Sequence, residues 1–116
     1  MSLLLSAALL IGSLTSDGAS IEPSDASASA AAESTFAGVW QRLAECESTS
    51  RWHIANPPYY GGLQMDMVFW RRYGGLEYAS RPDLASPAQQ IVVARRGLAV
   101  QGPGAWPYCS YVAGLR

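Results

Sequence analysis

The sequence predicts an α+β domain that is mostly helical, with one short hairpin or extended segment and one disulfide. Three observations carry this. Apolar residues recur at helical spacing in three separate stretches, two adjacent glycines follow a proline pair in the middle, and the composition changes abruptly near Ser34. Before that point the 116-residue chain has no aromatic side chain and no cysteine; after it lie every Trp, Tyr and Phe and both cysteines. Residues 3–14 form an apolar run of signal-peptide length, too short to be a permanent membrane span and lacking any preceding Lys or Arg. Small-residue cleavage positions occur between Ala19 and Ala32, and cleavage near 19 or 30 would leave a Ser/Ala-rich linker with too little apolar surface to fold. Residues 1–33 are therefore read as signal peptide and disordered linker, and residues 34–116 as a single secreted domain with no stable membrane insertion after processing.

The elements follow in order. Phe36, Val39, Trp40, Leu43 and Ala44 lie on one face of a helix over 35–47, with Ser34 or Thr35 as N-cap. On that wheel Cys46 and Glu47 continue the buried side or its edge, and Glu45 points away. Ser48 to Pro58 reads as loop, ended by Asn56, Pro57 and Pro58. In Tyr59 to Met65 the paired Gly61 and Gly62 permit close backbone approach to another element or to a ligand. A short helix over 67–73 has Asp66 as cap and Gly74 and Gly75 as its end, followed by loop from Leu76 to Ala85. Ser86, Pro87, Ala88 and Gln89 form a capping box with proline at the first helical position. That last helix is expected to bury Ile91, Val92, Leu98 and Ala99, to carry Arg95 and Arg96 on or near the opposite face, and to stop at Gly102, Pro103 and Gly104. Trp40, Trp70 and Trp106 are read as core, and the residues after Cys109 as a short tail.

Charge and cysteine usage bound the function. From Ser34 onward eight arginines face five acids, a mild positive excess in a chain whose overall net charge is −1. There is no basic stripe, so nucleic acid is not an expected partner, whereas an anionic envelope polymer suits the excess. Cys46 and Cys109 are 63 positions apart, with no CxxC pair and no His/Cys cluster, which in an exported chain favours a disulfide over metal or redox use. His53, the only histidine, lacks metal-ligand spacing and is read as a loop residue. No cofactor or metal is expected.

The ordered set Cys46-Glu47-Ser48, Tyr60-Gly61-Gly62-Leu63-Gln64 and Trp106-Pro107-Tyr108-Cys109 resembles the catalytic domain of resuscitation-promoting factors, a compact relative of lysozyme and lytic transglycosylases. Trp40, Trp52, Trp70, Gly74, Gly75, Gln89, Gln90 and Ile91 extend the resemblance over about Val39 to Cys109. It implies a small lysozyme-like fold, a bond between Cys46 and Cys109, and Glu47 as the catalytic acid. The substrate implied is the β-1,4 bond between N-acetylmuramic acid and N-acetylglucosamine in peptidoglycan. Two stretches depart from the family pattern: Thr49-Ser50-Arg51 stands where Gly-Gly-Asn is usual, and Ala55-Asn56-Pro57-Pro58 replaces Thr-Gly-Asn-Gly, altering a loop that in the family contributes to substrate binding.

The chemistry agrees with that implication. Cleaving a glycosidic bond needs a carboxyl that stays protonated near neutral pH, and apolar surroundings such as Trp40 and Cys46 would raise the pKa of Glu47. Tyr60, Gln64, Tyr59 and Trp52 supply the aromatic faces and amide expected of a glycan cleft. Asp66, the only acid beside these motifs, is read as a helix cap, which leaves a single-acid mechanism. The expected protein is a monomer acting on glycan strands at the cell wall. The rival readings are a binding or signalling module of the same fold with little turnover and, were Glu47 fully exposed with no cleft beside it, a small interaction protein unrelated to glycans.

Overall fold

A computed structural model describes residues 37–116; the expected signal peptide, the linker and the Ser34 or Thr35 cap lie outside the described residues. Helix α1, residues 37–48 as described, buries Trp40, Leu43 and Ala44, the i, i+3, i+4 stripe that the sequence predicts. A two-stranded antiparallel hairpin follows, β1 (Ala55–Asn56) and β2 (Tyr59–Tyr60), paired Ala55 to Tyr60 and Asn56 to Tyr59 around a cis Pro57–Pro58 peptide. The first strand therefore falls inside a stretch expected to be loop. The Tyr60–Met65 bridge then folds the chain back on itself, so that residues 59–65 form one compact loop.

Helix α2 (Met67–Arg72) begins at Asp66, whose Oδ1 accepts a 2.8 Å hydrogen bond from the Phe69 amide, as the sequence predicts. Between α2 and the next helix the expected loop contains two single 3₁₀ turns, Gly75–Glu77 and Pro82–Leu84. Gly75 lies directly under the Trp70 ring, where a Cβ would overlap it. The Trp70 indole donates to the Ala79 carbonyl at 2.8 Å. Two ion pairs brace these turns, Arg81 with Asp83 and Arg96 with Glu77, each at 2.8 Å. The hydrogen bond from Arg81 holds the buried Asp83 carboxyl below its ordinary pKa, outweighing the opposing effect of burial.

Helix α3 (Pro87–Gln101) starts with the expected reciprocal Ser86–Gln89 capping box and ends at Gly102. Its buried face differs from expectation. Ile91, Val92 and Leu98 are only partly covered and Ala99 is exposed, whereas Gln90, Val93, Ala94 and Gly97 are buried. Polar and apolar residues are interspersed around this helix, so periodicity alone does not select a face. The choice is made by fit. Gln90 brings an amide that buried backbone groups require, and Gly97, having no side chain, admits the Phe69 ring from α2. A further 3₁₀ turn, Pro103–Ala105, leads to helix α4 (Cys109–Ala113), which occupies what the sequence suggested was a tail. Buried Ser110 and Ala113 dock it, and the Arg42 guanidinium of α1 donates to the Ala113 carbonyl at 3.0 Å.

The core centres on Trp106, 2% exposed, which meets Trp40 edge-on at 5.5 Å and Phe69 at 5.7 Å and donates its indole N–H to the Leu63 carbonyl at 2.9 Å. Three residues away, Cys109 is bonded to Cys46, with 5.7 Å between the Cα atoms. The architecture is thus mostly helical with one short hairpin and one disulfide, as predicted for a small lysozyme-like domain.

Closing a 63-residue loop stabilises the fold by about 4 kcal/mol in the chain-entropy description. Replacing both cysteines with serine is expected to remove most of that, read as a lower urea midpoint with an otherwise similar circular dichroism spectrum. The buried face of α3 has its own test: Gly97→Leu drives a side chain into the Phe69 ring and lowers stability by roughly 1–3 kcal/mol, while Ala99→Leu stays within about 0.5 kcal/mol. Equal effects at the two positions would refute the assignment.

Candidate active site

Glu47 lies four residues beyond Leu43 and three beyond Ala44, so it continues their buried stripe to the edge of α1. The result is a half-buried carboxyl. Burial raises its pKa above the ordinary 4.5, and no hydrogen bond from the described residues stabilises the ionised form. Its neighbours in sequence fix the helix end: Cys46 is bonded to α4, and the buried Ser48 hydroxyl shares its proton between the Ala44 carbonyl at 3.1 Å and the Gly62 carbonyl at 2.9 Å. Glu45, on the outer side, is exposed and accepts from Ser50.

Glu47 borders a depression of about 220 Å³ whose other walls are Tyr59, Gln64, Ala105, Trp106 and Pro107. Tyr59, Gln64, Ala105 and Trp106 also line a second depression of about 160 Å³ that runs on to Asp66, Phe69 and Gln101. Those last three belong in turn to a third, of about 190 Å³, which reaches Val68 and Arg72. The three adjoin through shared walls and together make up a groove, with Glu47 lining only the first of them. Its lining of aromatic rings, amides and few charges suits flat, hydroxyl-rich rings.

The residues proposed from sequence are distributed unevenly around this groove. Tyr59, 47% exposed, and Gln64 stand on its rim. Gln64 has a left-handed backbone (φ 52°), and its amide donates to the Gly61 carbonyl at 3.0 Å and accepts from Asn56 at 3.4 Å. Tyr60 lies away from the Glu47 depression, its ring under the Arg81 guanidinium at 5.0 Å. Trp52 is half-buried and covers Gly62, where a Cβ would strike its ring. The paired glycines therefore serve close approach to protein groups, Gly61 to the Gln90 amide and Gly62 to Trp52. His53 sits with Nδ1 2.9 Å from the Asp83 carbonyl, a loop histidine as expected. Asp66 lines the groove, but its Oδ1 is engaged in capping α2.

Sequence reasoning did not assign Ala105, Trp106, Pro107, Phe69 or Gln101 to the site. The signal for Trp106 and Pro107 was available in the cysteines. A bond from Cys46 to Cys109 draws the residues just before Cys109 to the residue just after Cys46, which is Glu47. Phe69 and Gln101 gave no comparable signal, because their place in the groove depends on the Gly97 notch and the end of α3.

Residues 31–109 match the model of the transglycosylase-like domain family. Among curated proteins the chain is similar to a resuscitation-promoting factor of Corynebacterium glutamicum, 50% identical over 90 residues, which is 77% of this chain and 45% of that protein. It is also similar to a resuscitation-promoting factor of Micrococcus luteus, 43% identical over 88 residues (75% of this chain, 38% of that protein). A third, from Mycolicibacterium smegmatis, is 46% identical over 78 residues (66% and 22%). The matched region thus spans less than half the length of these relatives. With the family model covering more than half of the sequence, the chain belongs to the transglycosylase-like domain family.

Proposed function

We propose that this domain cleaves the β-1,4 bond between N-acetylmuramic acid and N-acetylglucosamine in peptidoglycan, with Glu47 as general acid and then general base. The observation that carries the reading is a half-buried carboxyl with raised pKa facing a groove of aromatic and amide side chains. In the neutral form Glu47 protonates the bridging oxygen as the bond to the anomeric carbon breaks. As carboxylate it then takes the proton of the hydroxyl that attacks that carbon. The attacking hydroxyl is the sugar's own 6-hydroxyl in transglycosylation, or water in hydrolysis.

A single-acid mechanism is supported by the lining of the depression, where Glu47 is the one carboxylate, and by the engagement of Asp66 as a helix cap. Tyr59 and Gln64 act as glycan contacts on the rim, with Tyr60 and Trp52 supporting the loop that carries them. The working place is outside the cell, at the wall. The apolar run over residues 3–14 and the formed disulfide support this; no helix among the described residues is long and apolar enough to cross a membrane. Glycan strands are the partner, and the domain works as a monomer.

Mass spectrometry of fragments released from purified cell walls tests the reaction: a 1,6-anhydro end marks transglycosylation and a reducing end marks hydrolysis. Glu47→Gln should lower release by at least about a hundredfold while retaining binding to the walls. Wild-type binding without any product would instead support a non-catalytic glycan-binding module. The same substitution has a pH signature. Because folding raises the Glu47 pKa, the native state is favoured while the carboxyl is neutral and loses stability as pH rises through the folded value. Glu47→Gln should therefore melt above wild type at neutral pH, and the difference should close below about pH 4.

A further inference from the structure

Gln90 is the one fully buried amide side chain on α3, and one of its hydrogen bonds reaches the 59–65 loop, whose Tyr59 and Gln64 line the candidate site. Its Nε2 donates to the Trp52 carbonyl at 2.8 Å and to the Ala85 carbonyl at 3.0 Å, while Oε1 accepts the Gly62 amide at 2.9 Å. The approach is possible only because Gly61, at φ 81°, has no Cβ where the Gln90 amide lies. Gly62 is gripped from the other side as well, since its carbonyl accepts from Ser48, the residue after Glu47. Residues 60–65 close on themselves through the paired Tyr60 and Met65 hydrogen bonds. Gln64 lies within that closed loop and Tyr59 adjoins it, so Gly62 anchors the backbone that carries both rim residues.

We infer that Gln90 is a positioning residue that sets the separation between Glu47 and the Tyr59–Gln64 rim. The chain of contact runs from the Gln90 amide to Gly62 and from Gly62 to Ser48 at the end of α1. A side chain that touches neither substrate nor acid thereby holds a bound sugar in register with Glu47. This rests on the reading of Glu47 as the acid. Loss of register should lower kcat more than it raises KM, because the groove persists while the reacting oxygen is displaced.

The test uses the conservative variant Gln90→Glu alongside Gln90→Met. A neutral glutamic acid keeps the acceptor for Gly62 and one donor for a carbonyl; its ionised form has no donor and faces two carbonyl oxygens. Activity on soluble uncrosslinked glycan strands, taken as a ratio to wild type at each pH, should fall for Gln90→Glu by about tenfold or more at neutral pH and recover on acidification. The ratio removes the pH dependence that wild type and variant share. Gln90→Met should show a loss that does not depend on pH. Both are measured below the melting temperature of each variant, with near-ultraviolet circular dichroism confirming the folded state. Amide exchange at Gly62 should quicken in Gln90→Met, which lacks the acceptor oxygen, and the Glu47 side-chain resonances should shift in both variants. Wild-type kcat in a folded variant, or a loss in Gln90→Glu that follows only the unfolded fraction at every pH, would overturn the inference. Should the wild-type chain release no product, the acid reading fails, and unchanged Gly62 exchange and Glu47 resonances would still separately refute the role of Gln90.

Discussion

The bond between Cys46 and Cys109 joins the end of the first helix to the start of the last, and the site is assembled around that junction. One cysteine immediately precedes Glu47, and the other lies two residues after Pro107, so a single covalent link brings the acid and one wall of its depression together. Trp106 extends the junction inward. Its ring packs between Trp40 and Phe69, and its indole N–H holds the carbonyl of Leu63, next to the rim residue Gln64. A small domain has limited apolar area with which to fix a cleft, and here the residues that build the core also line the groove.

This economy bears on the electrostatics of Glu47. The helix stripe that buries Trp40, Leu43 and Ala44 ends at the carboxyl, so desolvation follows from its position on the wheel and needs no neighbouring charge. Asp83 is the instructive contrast. It is more deeply buried, yet it is held ionised by the Arg81 guanidinium. A half-buried and a buried carboxyl thus have opposite protonation preferences, Glu47 shifted toward the neutral form and Asp83 toward the ionised form that braces a turn.

Much of this was legible in the sequence where local chemistry decides the outcome. Asp66 and the Ser86–Gln89 pair cap their helices because their side-chain oxygens meet free backbone amides within a few residues, and such signals are complete in a short window. The face of α3 was not legible. Ile91 and Val92 are more apolar than Gln90 and Gly97, but burial there rewards the side chain whose shape and hydrogen bonds match a partner distant in sequence. The same limit governs the site. Glu47, Tyr59 and Gln64 could be named from helix position and motif, and they do meet at one depression. Tyr60 and Trp52 carry the same chemical promise, but one is turned toward Arg81 and the other laid on Gly62 by contacts that no local pattern encodes.

The fit between Phe69 and Gly97 restricts how the groove can change over evolutionary time. The floor is a ring supplied by α2, and its depth is set from behind by the absence of a side chain on α3. A larger residue at 97 cannot be accepted while the ring remains, and a smaller residue at 69 leaves a void unless position 97 grows. Either step alone passes through a less stable protein, so the two positions are expected to vary together among relatives. A search for altered groove shape by single substitutions would miss any solution that needs this pair to change at once.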